Sequence, residues 1–163
     1  MSLKIEKETA KRLYSDAPEW FKQDLINEFG EKTFEKKDYE NLETFDDCCK
    51  VCGTTEEEFN SKFLNIGLSP DALALERLGI INKAINGPEW KPDYSNPDQQ
   101  KWFPVFKASS PGSGFSFTGS GYLFVSAVAD VGSRLCFESE EKSLFSGTRF
   151  TKFWEALITN KEV

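Results

Sequence analysis

Two rhythms of apolar residues run along this chain, and one gives way to the other near Pro88. Before that point apolar side chains recur every three or four positions, the spacing of a single helix face. Ile5, Ala10 and Leu13 share one side of a short first segment. "SDAPEWFKQDLINEFG" then carries the punctuation of a whole helix, with Ser15 or Asp16 to cap it, Pro18 and Glu19 in the first turn, and Gly30 to stop it. Trp20, Phe21, Leu25, Ile26 and Phe29 predict its core-facing stripe.

"TFDDCCKVCG" reads as a third, short helix opened by Thr44 and stopped by Gly53. "TTEEEF" opens another short turn, where a threonine cap is followed by three glutamates at the favourable positive end. "LSPDALALERLGIINKAING" is the strongest helix signal, with Ser69 as cap, Pro70 in the first turn and Gly87 at the close. Leu73, Ile80 and Ala84 occupy one side, and Leu78, Ile81 and Ile85 another. A helix apolar on more than one side belongs at the centre of a fold, packed from several directions.

After Pro88 a Pro-rich loop runs to about Lys101, within the stretch "EWKPDYSNPDQQKWFPVF". Short β segments follow: "FPVFKAS", "GFSFTGS", "GYLFVSAV" and "RLCFES". Phe115 and Phe117 alternate with Ser116 and Thr118, the period of two that marks a half-buried strand. "SSPGSG" and "TGSG" read as turns between segments. The last element, "SEEKSLFSGTRFTKFWEALI", reads as one amphipathic helix burying Leu144, Phe150, Phe153, Trp154, Leu157 and Ile158. The expected fold is a single α+β domain over residues 1–163. It has a helical N-terminal half and a small antiparallel β-sheet packed by a C-terminal helix.

Composition sharpens this picture in three places. Fifteen Phe and four Trp in 163 residues supply a substantial core. Histidine is absent, which removes the commonest general base and metal ligand, so no enzyme and no cofactor are expected. Charge is uneven: residues 1–88 hold 12 Lys and Arg against 18 Asp and Glu, while residues 89–163 hold 8 against 9. The acidity belongs to the first half, so the second half is not excluded from binding an anionic partner. The first residues, "MSLKIEKETAKRLY", lack the apolar run of a signal peptide, and no run is long enough to span a membrane. With cysteines that do not form a disulfide framework, this points to an intracellular setting.

The candidate chemistry is sparse. Cys48, Cys49 and Cys52 crowd one short helix, but zinc sites want two separated ligand pairs and only Cys136 remains, so buried structural thiols are expected. The helix–Gly–helix outline around Gly53 resembles a helix-turn-helix, yet its second helix begins with Glu56, Glu57 and Glu58, the wrong charge for DNA. Gly112, Gly114, Gly119 and Gly121 flank β segments without a following Gly-Lys-Ser/Thr, and read as hairpin glycines. Asp93 and Asp98 lack the spacing of a calcium loop, and Glu138, Glu140 and Glu141 suit a helix start.

The opening stretch after Pro88 admits two readings. As a binding site it offers aromatics with interleaved cations: Trp90, Lys91, Tyr94, Lys101, Trp102 and Phe103, with Arg134 nearby in the β region. As a staple, its prolines stiffen a crossover and its tryptophans dock it on the core, with Trp102 the more buried and Trp90 the less.

Read with "VGSRLCFESEE", this stretch resembles a group of small proteins encoded by tailed phages and prophages of Bacteroidetes gut bacteria. The shared pattern is the short acidic helix at residues 44–49, a helix ending in Asn, and the loop Trp90 to Asn96. It continues with the step Gln100, Trp102, Phe103, Pro104 and the segment "GSRLCF" before the last helix. It covers roughly residues 42–158, with Tyr94 where Trp is expected and Lys101 directly after Gln100. The resemblance implies origin and fold. The expectation is a non-enzymatic interaction or structural protein of a phage, acting on a phage or host protein in the infected cell's cytoplasm or in the virion. The alternative is a single-stranded nucleic-acid binder.

Overall fold

The computed structural model describes residues 5–34, 37–96, 98–108, 115–123 and 134–162, and its contacts divide the chain into two compact units, Met1–Asp38 and Tyr39–Val163. In the first unit, helices α1 (Lys7–Tyr14) and α2 (Glu19–Phe29) are followed by a 3-10 turn at Glu31–Thr33. Gly30 closes α2 at φ +82°, donating its N–H to the Ile26 carbonyl at 2.8 Å. Tyr14 stacks on Phe34 at 4.3 Å between ring centres.

Two expectations for α2 are corrected. Ser15 is spent in closing α1, so Pro18 stands at the N-cap and no side chain caps the helix. Trp20 is 69% exposed while Leu25 is buried. At about 100° per residue Trp20 lies about 140° around the helix from Leu25. The stripe therefore runs through Phe21, Leu25 and Phe29 and leaves Trp20 behind.

The second unit is built around α5 (Pro70–Asn86), against which α3 (Phe45–Val51), α6 (Glu140–Arg149) and α7 (Thr151–Thr159) all pack. This is the central position that its two apolar sides predict. Ala74, Leu78, Ile81 and Ile85 form its most buried stripe. Helix α3 and helix α4 (Glu56–Phe63) each open on a full capping box, Thr44 with Asp47 and Thr55 with Glu58. Ser69 precedes Pro70 at the start of α5 but turns its hydroxyl to the Asp71 carboxylate rather than to a backbone N–H.

Cys48, Cys49 and Cys136 are buried, Cys52 is half-buried, and all four are free. Burial pushes the Cys48 thiol up to about 12 and the Cys49 thiol to about 11, so neither forms thiolate near neutral pH. Among the described residues no group of three or more His, Cys, Asp or Glu side chains is placed to hold a metal ion. The folded protein should therefore react slowly with a thiol reagent, Cys52 first, and expose all four thiols only after denaturation. Rapid labelling of Cys48 or Cys49 in the native state, or stoichiometric zinc by mass spectrometry, would contradict this packing.

Strands β1 (Lys101–Ala108) and β2 (Phe115–Leu123) pair antiparallel and lie on α6 and α7. The expected turn at "TGSG" is corrected, because β2 runs straight through it. The register passes from Val105 opposite Gly119 to Phe106 opposite Phe117, leaving Thr118 as the extra residue of a β-bulge. Gly119 takes φ +153° there, a conformation open to glycine. The extra residue also reverses the alternation, so Phe117, Ser120 and Tyr122 share one face although their spacing is irregular.

"RLCFES" contributes an isolated bridge rather than a strand: Phe137 exchanges both backbone hydrogen bonds with Trp102, at 2.8 and 3.0 Å. The expected β segment "GYLFVSAV" lies outside the described residues beyond Leu123, as do Gly112 and Gly114. Among the described residues no helix is long and apolar enough to cross a membrane.

The single C-terminal helix is also corrected. It breaks at Phe150 (φ −112°, ψ 25°) into α6 and α7. The Thr151 hydroxyl donates to the Gly147 carbonyl at 2.5 Å, the acceptor that the Thr151 N–H would use in a continuous helix. Re-aimed by the break, α7 buries Phe153 and Trp154 but leaves Ile158 55% exposed. A Cβ at Gly147 would overlap the Phe117 ring, so this glycine lets the sheet close on α6.

Candidate functional site

The segment from Gly87 to Lys101 is held by its own polar side chains. Trp90 donates its N–H to the Gly87 carbonyl at 3.1 Å, starting the turn out of α5. Asp93 accepts from the Ser95 hydroxyl at 2.6 Å and the Ser95 N–H at 2.8 Å, bonds that lower its carboxyl below the usual range. Gln99 reaches back to the Asp93 N–H at 2.6 Å, and Asn96 accepts from the Asp98 N–H at 2.9 Å. These are loops closed by short side chains on nearby backbone, the usual work of Asp, Asn and Ser in turns.

Lys101 is the fulcrum of the loop. It is 1% exposed, although a surface cation is the sequence expectation. Its Nζ donates to the Gln99 carbonyl at 2.9 Å and the Asn96 carbonyl at 3.3 Å, and lies 5.6 Å from the centre of the Tyr94 ring. Carbonyl oxygens and a ring face supply the partners that a buried ammonium requires. The Tyr94 hydroxyl in turn approaches the Cys136 thiol at 4.0 Å. Both residues tie the loop inward.

A second inward tie comes from residues that the sequence reading missed. Asn82 and Asn86, buried on α5, both donate to the Cys136 carbonyl, at 2.8 and 3.0 Å. Asn86 also donates to Asn82 and accepts the Glu138 N–H at 3.0 Å. Lys142 caps the arrangement, donating to the Asn86 carbonyl at 3.0 Å and pairing with Glu138 at 2.6 Å. The signal was present in two asparagines one turn apart on the buried side of the best helix. Polar residues in that position need partners, and a neighbouring strand-like segment is the natural source.

The aromatics of the stretch do not form one surface. Trp102 and Phe103 are neighbours in a strand and point to opposite faces. Trp102 pairs with Tyr122 at 4.8 Å and packs on the core, on the same side as Phe106, which meets Trp154 at 5.8 Å. Trp102 and Trp90 are both half-buried, and of the two it is Trp102 that packs against the buried core cluster. Phe103, Val105 and Lys107 line the other face, opposite Gly121, Gly119 and Ser116. Val105 is 45% exposed and Lys107 is exposed. Two glycines beside Phe103 and Val105 leave this face shallow and apolar. Lys91 and Arg134 are exposed.

Fold and site together define an α+β protein whose β-hairpin packs one face on two C-terminal helices and turns a small apolar face outward. No protein-family model matches the chain, and neither does any curated protein or solved structure.

Proposed function

We propose that this is a phage-encoded, non-enzymatic interaction protein, which docks a phage or host protein through the outward face of its β-hairpin. Phe103 and Val105 supply the apolar contact, and Lys107 on the same face supplies a charged edge. The observation that carries this reading is the shallow face itself, an exposed Val105 and a half-buried Phe103 set against glycines. A partner's side chains can enter such a face, and aromatic anchors with a polar rim dominate interface energy.

The nucleic-acid alternative loses support from the same geometry. A stacking surface needs its aromatics on one side with free cations between them. Here Lys101 is consumed inside the loop, and Trp102 and Phe103 diverge.

The test is co-purification from phage-infected cells, followed by titration of the purified partner with the parent and with Val105→Asp. Val105→Asp should fold normally, since the site is open, and weaken partner binding by about 10-fold or more. Binding by the parent should change little between about 50 and 200 mM salt. Equal affinity of the variant would sink the proposed face. Tight, steeply salt-dependent binding of an oligothymidylate would move the assignment to single-stranded nucleic acid.

A further inference from the structure

A cleft of about 290 Å³ opens where α3, α5 and the junction of α6 with α7 meet. Three cationic side chains line it: Arg77 from α5, Arg149 at the end of α6 and Lys152 in the first turn of α7. The Arg77 guanidinium lies over three rings, 6.0 Å from the centre of Phe45, 5.9 Å from Phe59 and 5.7 Å from Phe153. Its Nε is shielded from solvent and has no hydrogen-bond partner among the described residues. A buried N–H on a cation is costly to leave without an acceptor.

Among the described residues no carboxylate answers it. Glu43 and Glu56 line the same cleft, yet among the described residues neither forms an ion pair with Arg77, Arg149 or Lys152. Glu56 sits in the first turn of α4, where the positive helix end favours it. The start of α7, in contrast, has no side-chain cap. Cations exceed carboxylates by three to two here, in a chain whose net charge is −7.

We infer that this cleft binds a small oxyanion, a carboxylate or a phosphate group, gripped by Arg77 and flanked by Arg149 and Lys152. A guanidinium presents parallel donors that match either group, and the three rings fix its plane. Ring faces also exclude water, which strengthens a charge-assisted hydrogen bond made there. The volume suits a small molecule. This site is separate from the hairpin face, and neither reading depends on the other.

The Nε–H resonances of the arginines, followed by NMR in nitrogen-15-labelled protein, provide the test. Inorganic phosphate and succinate are titrated separately, with ionic strength held constant by sodium chloride. The Arg77 Nε–H signal should move saturably with at least one of them, and the anion that saturates at lower concentration identifies the preferred chemistry. Arg77→Lys keeps the charge without the fork, and should weaken binding about 10-fold or more. The double variant Arg149→Gln with Lys152→Gln changes two exposed side chains and gives up the Lys152 contact with the Phe153 ring at 4.8 Å, but keeps all three rings around Arg77, so it separates lost binding from lost folding. It should weaken binding by about 3- to 10-fold. A response no different from sodium chloride alone, or full binding by the double variant, would overturn the inference.

Discussion

Replacing Trp154 by alanine should destabilise the folded protein by about 3–5 kcal/mol, the usual loss when a buried aromatic is truncated. Trp154 is 7% exposed and joins α7 to the β-hairpin through Phe106. Its indole Nε1–H donates to the Ser146 hydroxyl at 3.1 Å, inside α6. Alanine removes the ring from the sheet–helix contact and deprives the buried Ser146 of a partner at once. Trp154→Phe should lose less, because it keeps most of the apolar area and forfeits chiefly the hydrogen bond, worth about 1 kcal/mol. Urea and thermal unfolding of parent and both variants measure the difference. A shift in Tm below about 2 °C for Trp154→Ala would mean that this face of α7 is not core.

The second large effect is expected at Asn86, where leucine preserves the approximate volume and removes every polar contact of the side chain. The Glu138 N–H and the Asn82 Oδ1 would lose their partner, whereas the Cys136 carbonyl would keep its bond from Asn82. One buried and one part-buried polar group left unmatched predict a loss of about 2–4 kcal/mol. The consequence should also be local. Residues 136–138 carry the bridge between Phe137 and Trp102, so the amides of both should exchange with solvent faster in Asn86→Leu than in the parent. A variant as stable as the parent, with unchanged exchange at those amides, would show that the asparagine pair does not hold the segment.

Helix existence, the caps at Thr44 and Thr55, the central place of α5, and the α+β class were all legible along the chain. Each depends on residues within a few positions of one another. A hydroxyl beside the N–H three residues on, or an apolar side chain recurring each turn, acts through local geometry. The same local logic pointed to α2 but not to its exposed Trp20, since spacing says which residues share a side and not how wide the buried stripe is.

What escaped the sequence depended on contacts between residues far apart. Lys101 reads as a surface cation because lysine usually is one, and only a loop curled back over it supplies the two carbonyls that hold it inside. Trp102 and Phe103 read as a single aromatic surface until strand pairing sends them to opposite faces. At the break beside Phe150 the Thr151 hydroxyl takes the carbonyl that a continuous helix would give to backbone N–H, and Gly147 marks where the Phe117 ring presses on α6. Arg77 sits on the central helix like any interrupting charge, and the three rings beneath its guanidinium come from three different helices. Local spacing determined which elements form. Which side chains are buried, paired or left without an acceptor was decided by tertiary packing, because burial and hydrogen-bond satisfaction belong to the assembled environment rather than to any one segment.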